Sequence, residues 1–414
     1  MINSIESDSG LVLWVSSDDS VGSTDSRPAL RVIVTGGGTG GHVYPALTTV
    51  NALRKRLAES GRELEVLWVG STAPDCLEGR VAREAGIAFT SVATGKIRRA
   101  KNPLKMVSRA NVKDMLRVPQ GVVQARRIVN EFAPDVVLAT GGYVAVPVGW
   151  AASSCGRQLV IHEQTVRLGL ANRKLAGRAA HVAVSSESTV ALLSESVRER
   201  TTVTGNPVRP EVLSGQAERA VQALGLSGRF DSRLPTVYVT GGAQGAKQIN
   251  SLVADILPWM LEHANVVHQC GPNNVEELRA RTAGLPPEAA ARYLLTGYVG
   301  AELPDVLALA DVVISRSGAG TLAELTALGK AAVFVPLASS AGNEQWHNAH
   351  QLHTAGAAVA LLDEATPQTL VEAVGPLLAD PARREKVAER ARSQGRRDAA
   401  DRLVDVLLHT AAAG

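Results

Sequence analysis

The chain of 414 residues has only three cysteines, Cys76, Cys155 and Cys270, and no two of them form a C-x-x-C pair. An odd, scattered set supports neither a disulfide framework nor a zinc site, and it fits a reducing cytoplasm. Long apolar runs are also missing. The longest, around residues 143–152, contains Pro147 and Gly149 and falls short of the ~18 residues that a membrane-spanning helix needs. The N-terminus has neither the basic region nor the apolar stretch of a secretory leader, so none is expected. From residue 30 onward there is no Asp-x-Asp and no His/Cys cluster with metal spacing, so no metal ligands are expected. Net charge is scarce as well: at +3 it is too small to make nucleic acid an obligatory partner.

What is present is a composition of 45% hydrophobic and 20% charged residues, that of a soluble globular protein. The length exceeds one ordinary core, so two domains are expected. Residues 1–29 are rich in Ser and Asp around one apolar island at 11–15, and read as a disordered extension or the product of an early start codon. Residues 30–35 are a buried-strand signal that runs into Gly36-Gly37-Gly38-Thr39-Gly40-Gly41-His42, then a helical pattern at 45–59. Further strands are expected at 65–70, 136–140 and 159–162. Strands alternating with helices mean a parallel sheet covered on both faces. The pattern restarts after Gly205-Asn206-Pro207, with a strand at 236–240, the turn Gly241-Gly242-Ala243-Gln244-Gly245-Ala246 and a helix at 247–262. A third such unit comprises residues 312–315, Gly318-Ala319-Gly320 and a helix from Thr321. The expected organisation is α/β: two Rossmann-like domains at 30–203 and 204–397, with a closing helix in 398–414 that packs back on the first.

Gly36, Gly38 and Gly41 satisfy G-x-G-x-x-G between strand and helix. A dinucleotide site would also carry an acid at the end of the second strand. Here that strand ends Val69-Gly70-Ser71, so the dinucleotide reading loses its support. What remains is a turn whose backbone approaches a ligand closely, with helix N–H groups facing it. The glycine turns, together with Gly141-Gly142-Tyr143, fall at the C-terminal ends of parallel strands, where open α/β sheets bind ligands. A ligand cleft between the domains is expected. A diphosphate leaving group there would be stabilised by helix N-termini and backbone amides rather than by a cation.

The ordered set of motifs resembles the MurG family of peptidoglycan GlcNAc transferases across residues 31–411. The similar stretches are Gly36 through Leu47, Thr140 through Pro147, His162-Glu163-Gln164 followed by Gly169-Leu170-Ala171-Asn172, Thr204 through Arg209, Gly241 through Ala246, Ser315 through Leu325, and Asn343-Glu344-Gln345 with Asn348-Ala349. The resemblance implies a GT-B fold whose two parallel sheets face an inter-domain cleft. It implies inverting transfer of GlcNAc from UDP-GlcNAc to the 4-hydroxyl of MurNAc in undecaprenyl-linked lipid I, without a cofactor. On the donor side it implies that Glu324 holds the ribose hydroxyls, the Val299 backbone reads uracil and Arg209 sits near the nucleotide. It also implies that Ala243, Gln244, Ala319, Gly320 and Thr321 line the diphosphate and sugar, with Gln345 and Asn348 on the GlcNAc hydroxyls. On the acceptor side it implies His42 as general base, with Glu163 as competitor for base or acceptor positioning. Gly38, Thr39, Gly40, Gly41, Tyr143, Gln164 and Thr165 then line the acceptor groove. An imidazole titrates near working pH, and a carboxylate accepts from two vicinal hydroxyls.

Residues 96–127 carry Lys96, Arg98, Arg99, Lys101, Lys105, Arg109, Lys113, Arg117, Arg126 and Arg127 against the single acid Asp114, with Leu104, Met106, Val107, Met115 and Leu116 interspersed. Cations with apolar anchors suit an anionic leaflet, which implies a peripheral protein on the cytoplasmic face of the membrane. The segment lacks stacking aromatics, so nucleic acid is not expected there. The chain departs from the family pattern at Ala243, where Ser is common, at Thr165, where Asn is common, and in its N-terminal extension. Three rival readings follow: a paralogue glycosylating another lipid-linked or secondary-metabolite acceptor, a UDP-GlcNAc 2-epimerase of the same fold, and a silent UDP-sugar-binding protein.

Overall fold

The computed structural model describes residues 5–6, 12–13, 28–95 and 109–414, with the backbone alone described at 5–6, 12–13, 109–117 and 341. Most of the 1–29 extension therefore lies outside the described residues; within it, Ile5–Glu6 and Val12–Leu13 pair antiparallel. The chain divides into two compact units. Unit 1 comprises Met1–Pro207 and Asp398–Gly414, and unit 2 comprises Val208–Arg397.

Unit 1 is built on seven strands: β1 (Leu30–Gly36), β2 (Leu64–Ser71), β3 (Ala88–Val92), β4 (Val136–Gly141), β5 (Gln158–Glu163), β6 (His181–Val184) and β7 (Thr201–Val203). They lie in the order β3-β2-β1-β4-β5-β6-β7, and every pairing is parallel. Its main helices are α1 (Gly40–Glu59), α2 (Leu77–Glu84), α3 (Arg109–Phe132), α4 (Ala145–Ser154) and α5 (Leu170–Leu175). All six residues of β4 are buried, the signature of a central strand covered on both faces. One face packs Ile33, Val137 and Ile161 against Val144, Val148 and Val129. The other packs Val32, Val34 and Leu138 against Val50, Leu53 and Leu57.

Unit 2 repeats the plan with β8 (Thr236–Thr240), α6 (Lys247–His263), β9 (Asn265–Gln269), β10 (Tyr293–Thr296), β11 (Val312–Ser315), α7 (Ala319–Leu328), β12 (Ala331–Phe334), α8 (Glu344–Thr354), β13 (Val359–Ala360), α9 (Pro367–Ala379) and α10 (Pro381–Gln394). The parallel strand order is β10-β9-β8-β11-β12-β13. The final helix, α11 (Ala399–Ala412), belongs to unit 1. It buries Leu403, Val404, Val406 and Leu407 among Leu30, Val32 and Leu53, and Asp405 accepts from Arg56 on α1 at 2.9 Å.

In each sheet the strand order reverses beside the first strand of the unit, between β1 and β4 in unit 1 and between β8 and β11 in unit 2. The loops after those strands part at the switch point and leave a crevice between them. The glycine turns occupy these positions. Two helices start earlier than the sequence pattern indicates, α1 at Gly40 rather than 45 and α7 at Ala319 rather than 321. The first helical positions have no intrahelical N–H bond to make, so glycine is tolerated there. Pro45 then sits inside α1, where its missing donor forfeits only the bond to the Gly41 carbonyl.

Candidate active site

In unit 1 the crevice is lined by the turn after β1 and the turn after β4. His42 stands in the first turn of α1, and its Nδ1 lies 3.1 Å from the Gly37 carbonyl and 3.2 Å from Thr39 Oγ1. A carbonyl only accepts, so the Gly37 contact requires the proton on Nδ1 and leaves Nε2 with a bare lone pair. Burial lowers the His42 pKa below its ordinary 6.5, against the opposing charges of Glu163 and Glu78 and the Gly37 hydrogen bond. The ring is therefore neutral at pH 7, the form that takes up a proton.

Gly141 at the end of β4 faces that imidazole. A Cβ at this position would stand 3.0 Å from His42 Cδ2 and 3.2 Å from Nε2, and the backbone φ is +108°. Both facts demand glycine. Tyr143 lies against the first turn, its ring 3.1 Å from where a side chain at Gly38 would begin. Thr140 Oγ1 donates to the His42 carbonyl at 2.9 Å, tying the two turns together.

The His162-Glu163-Gln164 constellation ends β5. Glu163 is 3% exposed. Its Oε1 accepts from the Thr165 amide (3.0 Å) and hydroxyl (2.7 Å), and its Oε2 from the Gly169 amide (2.7 Å) and Asn172 Nδ2 (3.0 Å). A carboxylate with four donors is committed to holding the 164–172 loop, which favours positioning over proton uptake. Gln164 is buried and turns its amide nitrogen to His162 Nδ1 at 3.0 Å. Nε2 of His162 then donates to the Gly205 carbonyl at 2.9 Å, and full burial pushes this imidazole down to about 4.

In unit 2, α6 and α7 both start on glycine-bearing turns without a side-chain cap or an acid in the first turn. The helices α9 and α10 are capped by Thr366 and Asp380. An uncapped helix start directs N–H groups at whatever occupies the crevice. Ala243 and Gln244 are exposed on the first turn; Ala319, Gly320 and Thr321 form the first turn of α7. Glu324, one turn further along, accepts two bonds from Arg209, at 3.1 Å from Nε and 2.8 Å from the terminal nitrogen, both on Oε1. Two expected donor contacts are engaged within the protein. The Asn348 amide donates to the Ser317 carbonyl at 3.1 Å, while Gln345 Oε1 accepts from the Leu337 amide at 3.0 Å. The Val299 amide donates to Gln269 Oε1 at 3.1 Å, so its carbonyl is the edge left to read a base. Gln269 also accepts from the Tyr238 hydroxyl at 3.0 Å and donates to the Gly242 carbonyl at 2.9 Å. Sequence reasoning missed Gln269, because a polar residue ending a buried strand carries no local signal.

Residues 32–184 match the glycosyltransferase family 28 N-terminal domain and residues 236–403 the glycosyltransferase family 28 C-terminal domain. A relative from Halothermothrix orenii, named UDP-N-acetylglucosamine–N-acetylmuramyl-(pentapeptide) pyrophosphoryl-undecaprenol N-acetylglucosamine transferase, is 34% identical over 92% of this chain and 99% of its own. The chain belongs to glycosyltransferase family 28 and, within it, to the MurG family. The crystal structure of Acinetobacter baumannii MurG matches with a TM-score of 0.68 at 27% identity, covering 92% of this chain and 99% of that one, which bears out the GT-B fold. A UDP-GlcNAc 2-epimerase from Neisseria meningitidis matches at TM-score 0.63 and 16% identity, over 92% of this chain and 100% of that one. That likeness is one of fold alone.

Of the basic segment, residues 96–108 lie outside the described residues, and 109–117 form the start of α3. Arg126 and Arg127 are exposed on the same helix, with Arg127 paired to Glu131 at 2.6 Å. Among the described residues no helix is long and apolar enough to cross a membrane.

Proposed function

We propose that this member of the MurG family transfers GlcNAc from UDP-GlcNAc to the 4-hydroxyl of MurNAc in undecaprenyl-linked lipid I, forming lipid II with inversion and without a bound cation. The observation that carries the reading is His42, neutral, with its proton held on Nδ1 by Gly37 and Nε2 turned to the Gly141 backbone. As the acceptor O–H bond breaks, its proton passes to Nε2 and the oxygen forms a bond to C1 of GlcNAc. The C1–O bond to the diphosphate breaks on the opposite face, and UDP leaves with the electron pair. The uncapped starts of α6 and α7 meet the charge that develops on the diphosphate. Glu324 receives the ribose hydroxyls while Arg209 keeps hold of its Oε1. The Val299 carbonyl accepts from uracil, and Ala243, Gln244, Ala319, Gly320 and Thr321 line the phosphates and sugar. Gln345 and Asn348 shape the sugar pocket through the loops they hold. Gly38, Thr39, Gly40, Gly41 and Tyr143 receive the acceptor, with Glu163, Gln164 and Thr165 maintaining the wall beside it. The basic run 96–127 brings the enzyme to the anionic cytoplasmic leaflet as a peripheral protein.

The test is transfer of labelled GlcNAc from UDP-GlcNAc to a short-chain lipid I analogue in the presence of EDTA. Product is expected, falling about 100-fold or more in His42→Ala and lost in Glu324→Ala through failure to bind UDP-GlcNAc. Bound donor without product rejects lipid I as acceptor and points to a paralogue's substrate. Conversion to UDP-ManNAc would assign an epimerase instead.

A further inference from the structure

Beneath the first glycine turn lies an acid that the sequence reading did not use. Glu78 on α2 is 1% exposed. Its carboxylate accepts from the Gly38 amide on Oε2 and from the Ser71 amide on Oε1, each at 3.3 Å. It fills the space that a side chain at Gly37 would need: a Cβ there would stand 2.5 Å from Oε1. A Cβ at Gly70 would meet the Phe89 ring at 2.5 Å before Glu78 Cγ at 2.8 Å. A buried carboxylate is costly unless it is hydrogen-bonded, and here one of its two N–H donors, that of Gly38, belongs to the turn whose Gly37 carbonyl receives His42 Nδ1, while the other, Ser71, ends β2.

We propose that Glu78 is a positioning residue for the base: it pins the Gly37–Gly38 turn so that the Gly37 carbonyl keeps the His42 proton on Nδ1, and it sets a fixed negative charge beneath the ring. The groups that act on His42 come from separate elements: Glu163 at the end of β5 and Glu78 on α2 through their charge, the Thr39 hydroxyl 3.2 Å from Nδ1, and Thr140 at the end of β4 through the His42 carbonyl. The carboxylates of Glu163 and Glu78 both work against the burial that lowers the imidazole. Of the two, Glu163 is committed to its own loop, whereas Glu78 is bonded to the turn that holds the ring. The arrangement tunes His42 as a base, and to that extent it rests on the role proposed for His42 above.

The experiment is a pH titration of the His42 imidazole by 15N–1H correlation spectra in the full chain, for the wild type, Glu78→Gln and Glu78→Asp. The pH dependence of kcat/KM is measured alongside. Removing the charge is expected to lower the His42 pKa by about half a unit or more and to weaken the preference for the Nδ1–H tautomer. Glu78→Asp, which keeps the charge, recovers most of the shift. The acid limb of kcat/KM moves down with the imidazole in Glu78→Gln, while UDP-GlcNAc binding is unchanged. A His42 titration and tautomer identical to wild type in Glu78→Gln overturns the inference, as does a drop in Glu78→Asp as large as in Glu78→Gln. An imidazole that shifts while the acid limb stays fixed upholds the coupling and removes His42 as the base.

Discussion

At the residue scale, the site depends on small groups as much as on reactive ones. Gly141 shows this most directly, because its φ of +108° strains any side chain and a Cβ there would press on the imidazole from 3.0 Å. Gly141→Ala is expected to displace His42 and lower turnover about tenfold or more, at a stability cost of about 1–2 kcal/mol for the left-handed backbone. UDP-GlcNAc affinity is expected to stay at the wild-type value, since the contacts proposed for the donor belong to unit 2; steady-state kinetics beside donor titration check this. The Arg209–Glu324 pair makes a complementary prediction in unit 2. Glu324 is part-buried with Arg209 on one oxygen, so Glu324→Gln removes the charge facing the guanidinium and, on the role proposed for Glu324, is expected to weaken ribose recognition. UDP binding is expected to fall about tenfold or more; calorimetric affinity equal to wild type would remove Glu324 from the donor site.

At the scale of elements, α1 and α11 carry separate duties. The first turn of α1 presents His42, while its later turns present Val50, Leu53 and Leu57 to the face that α11 also covers. Leu403 and Leu407 are 0% and 1% exposed, and truncating either side chain leaves a cavity in the core that α11 shares with α1 and β4–β6. Leu403→Ala and Leu407→Ala are each expected to destabilise unit 1 by about 2–5 kcal/mol. Urea unfolding followed by probes in each unit separately checks this: unit 2 should keep its own midpoint. The helix periodicity of the closing segment is readable from its apolar spacing. Its partners are not, because the residues it meets lie far back in the chain, on α1 and on β4–β6, as in the Arg56–Asp401 pair.

At the scale of the whole molecule, each unit encloses one histidine with no exposure, His162 or His268, that strongly resists protonation. Burial pushes His162 in unit 1 and His268 in unit 2 down to about 4. Between pH 6.5 and 4 the unfolded chain therefore binds protons that the folded chain refuses, so stability falls as the pH is lowered through this window. Each histidine contributes a loss on the order of 3 kcal/mol by pH 4. Urea midpoints for both units should drop steadily from pH 7 to pH 4.5; flat midpoints would show that these imidazoles take up protons in the folded chain as readily as in the unfolded one.

The sequence by itself determined the repeated strand, glycine turn and helix, the parallel α/β class and the family. These rest on local periodicity and on turns whose backbone only glycine adopts. The strands 236–240 and 312–315 read from the sequence coincide with β8 and β11. The candidate site was legible where a residue belongs to a motif, as His42, Glu163 and Glu324 do. Partnership was not legible, because it depends on which loops the strand order brings together. Only the tertiary structure decided that Glu163 spends its lone pairs on its own loop, that Asn348 holds the Ser317 carbonyl, and that Gln269 links Tyr238, Gly242 and Val299. It also decided that the buried acid of α2, Glu78, lies under the turn that holds His42. A buried polar side chain acquires its role from the donors that surround it, and those donors come from strands and turns that only folding brings within reach.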